Sequence, residues 1–228
     1  MSFIYRHVLP QYCLLCIEKT LSESPLCAHC LEELPWLCSP HCSICAKDVP
    51  DKQKPVCGAC AAKAPPFDTT HCTFRYQEPI SHWIKQFKFH QQLHLTKTLA
   101  RLMASGLKRQ RGSTPIDAIV PIPLHYRRWI KRGYNQTILL AKHLQTALQL
   151  PMDRRVLKKR RHTKPQALKK RQQRQIGLKG VFYAKPNRYK RVALIDDVMT
   201  TGATVSAAAM ALRQTGIKYI EVWCLARS

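Results

Sequence analysis

The chain of 228 residues lacks the long apolar runs of a membrane protein. No stretch of about eighteen consecutive apolar residues occurs in it, so hydropathy predicts no membrane-spanning helix and no membrane insertion. Residues 1–10 also lack the basic and then apolar order of a secretory signal peptide. These two absences predict a soluble protein of the cytoplasm.

Acidic side chains are scarce, and they are absent from one long segment. The net charge is +25, from 38 Lys and Arg against 13 Asp and Glu. Residues 1–66 are neutral, so the whole excess lies in residues 67–228, and residues 154–191 hold sixteen Lys or Arg and no acid. A basic run is often only a solvated face, but a like-charged surface of this density is costly unless a polyanion neutralises it. We therefore expect a polyanionic partner, nucleic acid in the first place.

Cysteine is abundant in the neutral segment, where eight of the eleven cysteines form four Cys-x-x-Cys pairs. The odd total and the repeated pairing favour metal binding in a reducing compartment over disulfides. Two such pairs complete a tetrahedral site of four thiolates, for which zinc is the standard occupant, and no coordination position is left open for catalysis. Two structural Zn²⁺ ions are therefore predicted. Their ligands are Cys13, Cys16, Cys27, Cys30, Cys42, Cys45, Cys57 and Cys60.

The two successive quartets have nearly identical internal gaps of ten and eleven residues, which indicates a tandem repeat. An interleaved pairing of the same eight cysteines stays open. This segment is rich in proline and poor in large apolar residues, so it would hardly fold without metal. Pro65-Pro66 marks its end. We predict a double zinc-ribbon module over residues 1–66 and a second domain over residues 67–228.

The most informative segment lies near the C-terminus. Val192 to Ile195 is a short apolar run, which predicts a buried strand of a parallel sheet. Asp196 and Asp197 follow, and after a threonine-rich turn Val205 to Gln214 predicts a helix. Open α/β sheets bind ligands at this carboxyl edge. A phosphate suits the helix N-terminus, and the acidic pair suits the vicinal hydroxyls of a sugar phosphate or a bridging Mg²⁺. The alternative, an ordinary crossover with a threonine N-cap, leaves the acidic pair unexplained.

Further elements are predicted in residues 67–228. Phe67 to Tyr76 predicts a short strand or hairpin arm, and Pro79 opens a helix to about Leu107. A second apolar strand, Asp117 to His125, ends in two prolines that place a loop at the sheet edge. Basic residues follow, and Gly133 opens a helix to about Leu150. A rigid loop followed by arginines suits a diphosphate, because the planar guanidinium matches phosphate oxygens.

Several of these motifs together resemble one known family. The segment from Val192 to Thr204 resembles the phosphoribosyl-diphosphate (PRPP) signature of type I phosphoribosyltransferases, an apolar strand followed by Asp-Asp-x-x-x-Thr-Gly-x-Thr. Residues 120–136 begin with Val-Pro-Ile-Pro-Leu and end in Arg-Gly-Tyr-Asn-Gln, residues 161–166 are Arg-His-Thr-Lys-Pro-Gln, and residues 180–182 are Gly-Val-Phe. With the Cys-rich head, this order is similar over nearly the whole chain to the ComF family, which includes ComFC and GntX-type proteins. The resemblance implies an α/β fold, a phosphoribosyltransferase-type parallel sheet with helices on both faces, preceded by a small Cys-rich double zinc-ribbon module.

The resemblance also implies a PRPP site. Asp196 and Asp197 would face the ribose hydroxyls with Mg²⁺, and residues 158–180 would form the loop that covers PRPP in related transferases. The residues that would wrap the 5-phosphate are Thr200, Thr201, Gly202, Ala203 and Thr204. The candidates for the diphosphate and its covering loop are Pro123, Leu124, His125, Arg160, Arg161, Lys164 and Arg171.

The same basic residues could instead follow a DNA backbone. Tyr126, Trp129 and Tyr134 lie beside basic residues, as stacking aromatics do in single-strand binders, although each alone also suits a partly buried position. The DNA-binding candidates are Arg127, Arg128, Trp129, Lys131, Arg132, Tyr134, Lys158 and Lys159.

Two functional hypotheses follow. The first, implied by the ComF resemblance, is a competence-associated protein that handles incoming single-stranded DNA during natural transformation and has a PRPP-binding pocket, with other proteins of DNA uptake as partners. The alternative is an active phosphoribosyltransferase that transfers ribose-5-phosphate from PRPP to an unknown acceptor. The concentrated positive charge exceeds what a small base requires and favours the first, and no catalytic residue is assigned.

Overall fold

A computed structural model describes residues 11–20, 24–38, 40–50, 53, 55–160 and 180–228. The cysteine-rich segment contains little regular structure. Strands β1 (Gln11–Tyr12) and β2 (Lys19–Thr20) pair antiparallel. Helices α1 (Ala28–Glu32) and α2 (Gly58–Ala62) each begin directly after a cysteine, Cys27 and Cys57. Each short helix thus places the last cysteine of its quartet beside the knuckle formed by the first two.

The second part of the chain is built on one parallel sheet. Its strands are β3 (Thr69–Arg75), β4 (Ala118–Pro121), β7 (Arg191–Met199) and β8 (Tyr219–Arg227), in the order β3-β8-β7-β4. A separate antiparallel hairpin joins β5 (Leu157–Lys159) to β6 (Phe182–Ala184). The helices are α3 (Ile80–Phe89), α4 (Leu95–Gln110), α5 (Tyr126–Arg132), α6 (Gln136–Leu148) and α7 (Ala203–Arg213).

The sheet is covered on both faces, which explains why its central strands are apolar at nearly every position. Ala193 and Ile195 pack into the core beneath α4 and α6. Val192 and Leu194 point the other way, into the core formed with α7 and the β5–β6 hairpin. The predicted α/β class, with a parallel sheet between helices and a preceding Cys-rich module, is confirmed.

The head contacts the free edge of the sheet. The Leu37 N–H donates to the Thr73 carbonyl at 3.0 Å, and the Arg75 N–H donates to the Pro35 carbonyl at 2.8 Å. The rings of Trp36 and Phe74 pack with their centroids 4.5 Å apart. The head therefore covers the edge of β3, whose backbone groups would otherwise be open to another strand.

Two sequence predictions about elements are wrong in detail. The helix predicted from Pro79 to about Leu107 is two helices, because Gln91 between them adopts a left-handed backbone with a φ of 54°. Both helices bury residues in the same core, so apolar spacing alone could not reveal the break. The strand predicted to end before the acidic pair continues to Met199. The described helices include none that is long and apolar enough to cross a membrane.

Candidate functional site

The acidic pair lies at the carboxyl end of β7, between two neighbouring strands. Asp197 is buried, with 9% of its surface exposed, whereas Asp196 is half-buried. The Asp197 N–H donates to Asp196 Oδ1 at 2.9 Å, and the Val198 N–H donates to Asp197 Oδ1 at 2.7 Å. The backbone therefore holds each carboxylate in one orientation.

Lys88, from the last turn of α3, completes this cluster. Its Nζ lies 2.8 Å from Asp197 Oδ1, and 18% of the Lys88 side chain and 13% of the Asp197 side chain are exposed. Sequence reasoning missed this residue, since a lysine after a buried phenylalanine is typical of any amphipathic helix. Such a shielded ion pair needs both partners, because removal of one leaves a poorly solvated charge.

Asp196 has no such ion pair among the described residues. Burial, and then the charge of Asp197, raise the pKa of Asp196 to about 7, although Lys88 and Lys159 act in the opposite direction. The two adjacent carboxylates therefore have different surroundings. Asp197 is held by an ammonium group, and Asp196 exchanges its proton in the range where a divalent cation would compete for it.

The threonine-rich turn leads from β7 into α7. Gly202 is the N-cap, and its φ of 74° lies in the left-handed region that favours glycine. The N-cap residue is thus a glycine and not a threonine, which removes the alternative of a threonine N-cap. The Thr201 hydroxyl accepts a long hydrogen bond of 3.4 Å from the Ala203 N–H. The first N–H groups of α7 therefore face a small concavity lined by Asp196 and residues 198–205.

Arg227 ties this turn to the head. Its Nη1 donates to the carbonyls of Met199 at 2.8 Å and Thr200 at 2.5 Å, and its Nε donates to the carbonyl of Cys45 at 3.0 Å. One guanidinium thus links the start of the turn to a cysteine of the second quartet. No sequence signal could have identified it, because all three acceptors are backbone groups that lie far away along the chain.

The proline loop after β4 is positioned by Asn135. Its Nδ2 donates to the Ile122 carbonyl at 3.1 Å, while its Oδ1 accepts from the Thr137 N–H at 3.2 Å and so caps α6. Pro123 and Leu124 lie on one wall of a cavity beside this loop. Among the diphosphate candidates, Arg160 stacks over the Tyr183 ring at 5.9 Å. Arg161, Lys164 and Arg171 lie outside the described residues.

Most of the DNA-binding candidates lie on helix α5, and two lie on strand β5. Helix α5 carries Trp129 with 52% of its surface exposed, beside Tyr126 with 54% exposed. Arg127, Arg128 and Lys131 belong to the same helix, and Arg132 stacks over the Phe89 ring at 4.8 Å. Lys158 and Lys159 lie on β5.

Tyr134 does not suit base stacking. Its hydroxyl donates to the Phe87 carbonyl, and its ring lies 5.9 Å from the Phe87 ring, half-buried against the core. The structure therefore places Tyr134 in a partly buried position, and its role as a DNA contact stays a prediction.

The cysteines form two separate clusters, as the tandem arrangement predicts. Within each quartet, Cys13, Cys16, Cys27 and Cys30 or Cys42, Cys45, Cys57 and Cys60, the sulfur atoms all lie within 4.8 Å of one another. The Cys16–Cys27 and Cys45–Cys57 sulfur separations are both 3.7 Å. A tetrahedral site with Zn–S bonds of about 2.3 Å requires sulfur separations of about 3.8 Å. The geometry fits two zinc ions and excludes the interleaved pairing.

The backbone and the ionisation of the thiols agree with metal binding. Ile17 and Ala46 occupy the same place after the first two cysteines of each quartet, and both have left-handed backbones, with φ of 63° and 54°. Burial, followed by the neighbouring thiols, raises the pKa of Cys30 to about 12. Four adjacent thiolates therefore need a bound cation, which structural zinc supplies.

Known proteins are similar to this chain over most of its length. Residues 4–61 match the double zinc ribbon domain. The chain is 33% identical to competence protein F of Haemophilus influenzae over 219 residues, which are 92% of this chain and 88% of that protein. It is 32% identical to the DNA utilization protein YhgH of Escherichia coli (strain K12) over 170 residues, 73% of this chain and 75% of that protein. A solved structure with some likeness is adenine phosphoribosyltransferase from Saccharomyces cerevisiae, 18% identical, with a TM-score of 0.39, covering 61% of this chain and 72% of that chain.

Proposed function

Because the chain belongs to the ComF family of competence proteins, we propose that it handles incoming single-stranded DNA in the cytoplasm during natural transformation, together with other proteins of DNA uptake. We include in this proposal a PRPP-binding pocket at the acidic pair. One juxtaposition supports both parts: the pocket residues and the exposed aromatic helix lie at the same edge of the sheet.

That juxtaposition follows from the strand register. Pro121, the last residue of β4, pairs with Ile195, directly before the acidic pair. The chain then passes through the proline loop into α5, which presents Tyr126 and Trp129 to solvent. Exposed aromatic rings among arginine and lysine residues suit unpaired bases and their phosphates.

The pocket would bind PRPP with groups that the fold already orients. The 5-phosphate would lie at the turn from Thr200 to Thr204, against the first N–H groups of α7. Asp196 and Asp197 would accept hydrogen bonds from the ribose hydroxyls. Mg²⁺, when bound, would neutralise diphosphate oxygens beside the two carboxylates. Lys88 and Lys159 would add positive charge on the side of the acidic pair.

Two measurements test this proposal. Calorimetry should show Mg²⁺-dependent PRPP binding by the wild type, and an Asp196→Asn/Asp197→Asn double variant should lose it. Fluorescence anisotropy with a labelled oligo-dT should show binding that falls steeply with salt, with a log–log slope of roughly −0.7 per phosphate contacted. A Lys158→Ala/Lys159→Ala/Arg160→Ala variant should flatten this slope.

The outcomes separate the two parts. PRPP binding without DNA binding would refute DNA handling and favour the phosphoribosyltransferase alternative. DNA binding without PRPP binding in the wild type would refute the proposed PRPP site, and the function would then depend on the basic surface alone.

A further inference from the structure

A cavity of about 420 Å³ lies on the outer side of β4, next to the proline loop. Its volume falls within the range of roughly 300–1,000 Å³ that is typical of ligand sites. The turn at the start of α7 forms only a much smaller concavity and shares no lining residue with it. The two features are therefore separate places at one edge of the sheet.

The charges of the cavity select an anion. Arg154, Arg155 and Lys158 line it, and its nine described lining residues include no acid. The nearest carboxylate along the chain, Asp153, is engaged elsewhere. Its Oδ1 accepts the Arg155 N–H at 2.7 Å, and its Oδ2 accepts the Tyr189 hydroxyl at 3.1 Å. Two exposed guanidinium groups beside an ammonium group match phosphate oxygens.

The remaining walls suit a flat apolar group. Leu124 and Ile138 contribute aliphatic surface, and Trp129 contributes an indole ring with about half of its residue surface exposed. An exposed indole beside arginines has a free aromatic face on which a nucleobase can stack. The cavity thus offers the two surfaces that one nucleotide needs, an aromatic face and a cationic cluster.

Strand β5 connects this cavity to the acidic pair. Successive side chains of a strand point to opposite faces. Lys158 lines the cavity, whereas the charge of its neighbour Lys159 acts on Asp196. Neighbouring residues of β5 therefore line the cavity and act on the acidic pair.

From these observations we propose that the cavity binds one nucleotide of a single DNA strand, with its base on Trp129 and its phosphate on Arg154, Arg155 and Lys158. This inference rests on the proposed handling of single-stranded DNA. It adds a defined binding site for one nucleotide, and this site fixes where the DNA strand passes relative to the acidic pair.

Photocrosslinking tests the proposal. An oligo-dT in which 5-iodo-deoxyuridine replaces some thymidines is irradiated with the full-length zinc-loaded protein, and the crosslinked peptide is identified by mass spectrometry. We expect the crosslink at Trp129. An Arg154→Ala/Arg155→Ala variant should lose most of this crosslink, bind oligo-dT about tenfold more weakly at moderate salt and show a salt slope reduced by roughly 0.7, which corresponds to one lost phosphate contact.

An Arg188→Ala/Lys190→Ala variant is the matched control. It removes the same charge from exposed positions before β7 that do not line the cavity. It should keep both the crosslink and most of the affinity. Wild-type DNA binding with crosslinks elsewhere, or equal losses in the two double variants, would overturn the cavity site while leaving DNA handling intact. Failure of the wild type to bind oligo-dT would overturn both proposals.

Discussion

Replacing Asp196 with asparagine should stabilise the ligand-free protein at pH 8, although the same change should abolish Mg²⁺-dependent PRPP binding. The pKa of Asp196 is raised from 3.8 to about 7 by burial and by the charge of Asp197. Because the folded-state pKa lies above the unfolded value, the contribution of Asp196 to the free energy of unfolding is most favourable below about pH 3.8. This contribution is lost as the pH rises to about 7. Asparagine can keep the hydrogen bond from the Asp197 N–H to Oδ1.

The expected change in the free energy of unfolding follows from the size of the pKa shift of Asp196. Three pKa units at about 1.4 kcal/mol each give an upper bound of about 4 kcal/mol for the cost of ionised Asp196 at pH 8. At pH 5 the folded wild type keeps its proton while the unfolded chain has lost it, so the gain from asparagine should shrink to about 2 kcal/mol. Urea unfolding of both proteins at the two pH values, with zinc present, measures the difference.

Asp197→Asn is the matched control, since it changes the neighbouring residue in the same way. This substitution removes the anionic partner of Lys88, whose ammonium lies 2.8 Å from Asp197 and is largely shielded from water. It should therefore destabilise the protein at pH 8. A destabilising Asp196→Asn, or a gain that is equal at pH 5 and pH 8, would refute the assignment of the unfavourable charge to Asp196.

Two further predictions concern the link between the head and the turn. Arg227→Met should weaken PRPP binding about tenfold in calorimetry, because the carbonyls of Met199, Thr200 and Cys45 lose their shared hydrogen-bond donor. A tenfold loss corresponds to about 1.5 kcal/mol, as expected for hydrogen bonds from a charged donor. An unchanged affinity would show that the turn needs no such anchor. Chelation should release two zinc ions per chain and abolish hydrogen-exchange protection throughout the described head, since few apolar side chains hold that segment together. Protection that persists after complete metal loss would contradict a structural role for zinc.

The features that the sequence predicted correctly are those whose signal is local. Each cysteine pair spans only four residues, and the gap between pairs is short enough for one ion to join them. The acidic pair and the turn likewise follow one apolar strand without interruption. Apolar runs were sufficient for the parallel sheet because its central strands are covered on both faces.

The features that sequence reasoning missed depend on contacts between distant segments. Lys88 meets Asp197 only because α3 packs over the end of β7, and Arg227 reaches Cys45 only because the head covers the sheet edge. The same limit explains Tyr134, since its partner Phe87 lies on a different helix. The break at Gln91 was hidden for a different reason: the backbone changes direction there without any change in the apolar pattern.

The different surroundings of the two aspartates argue that this strand end is a site and not only a structural turn. A structural role would favour a carboxylate that is well solvated or paired when ionised at neutral pH. Burial instead raises the pKa of Asp196, and no ion pair to it is present among the described residues. Asp197, by contrast, already has Lys88 at 2.8 Å. A cation or a set of hydroxyl donors bound at Asp196 would offset the free-energy cost of the ionised, buried carboxylate. Ligand binding and proton release from Asp196 should therefore be coupled, with PRPP affinity rising as the pH passes through about 7. Calorimetry of the wild type with PRPP and Mg²⁺ at pH 6 and pH 8 measures this rise, and an affinity that does not change between the two would contradict the coupling.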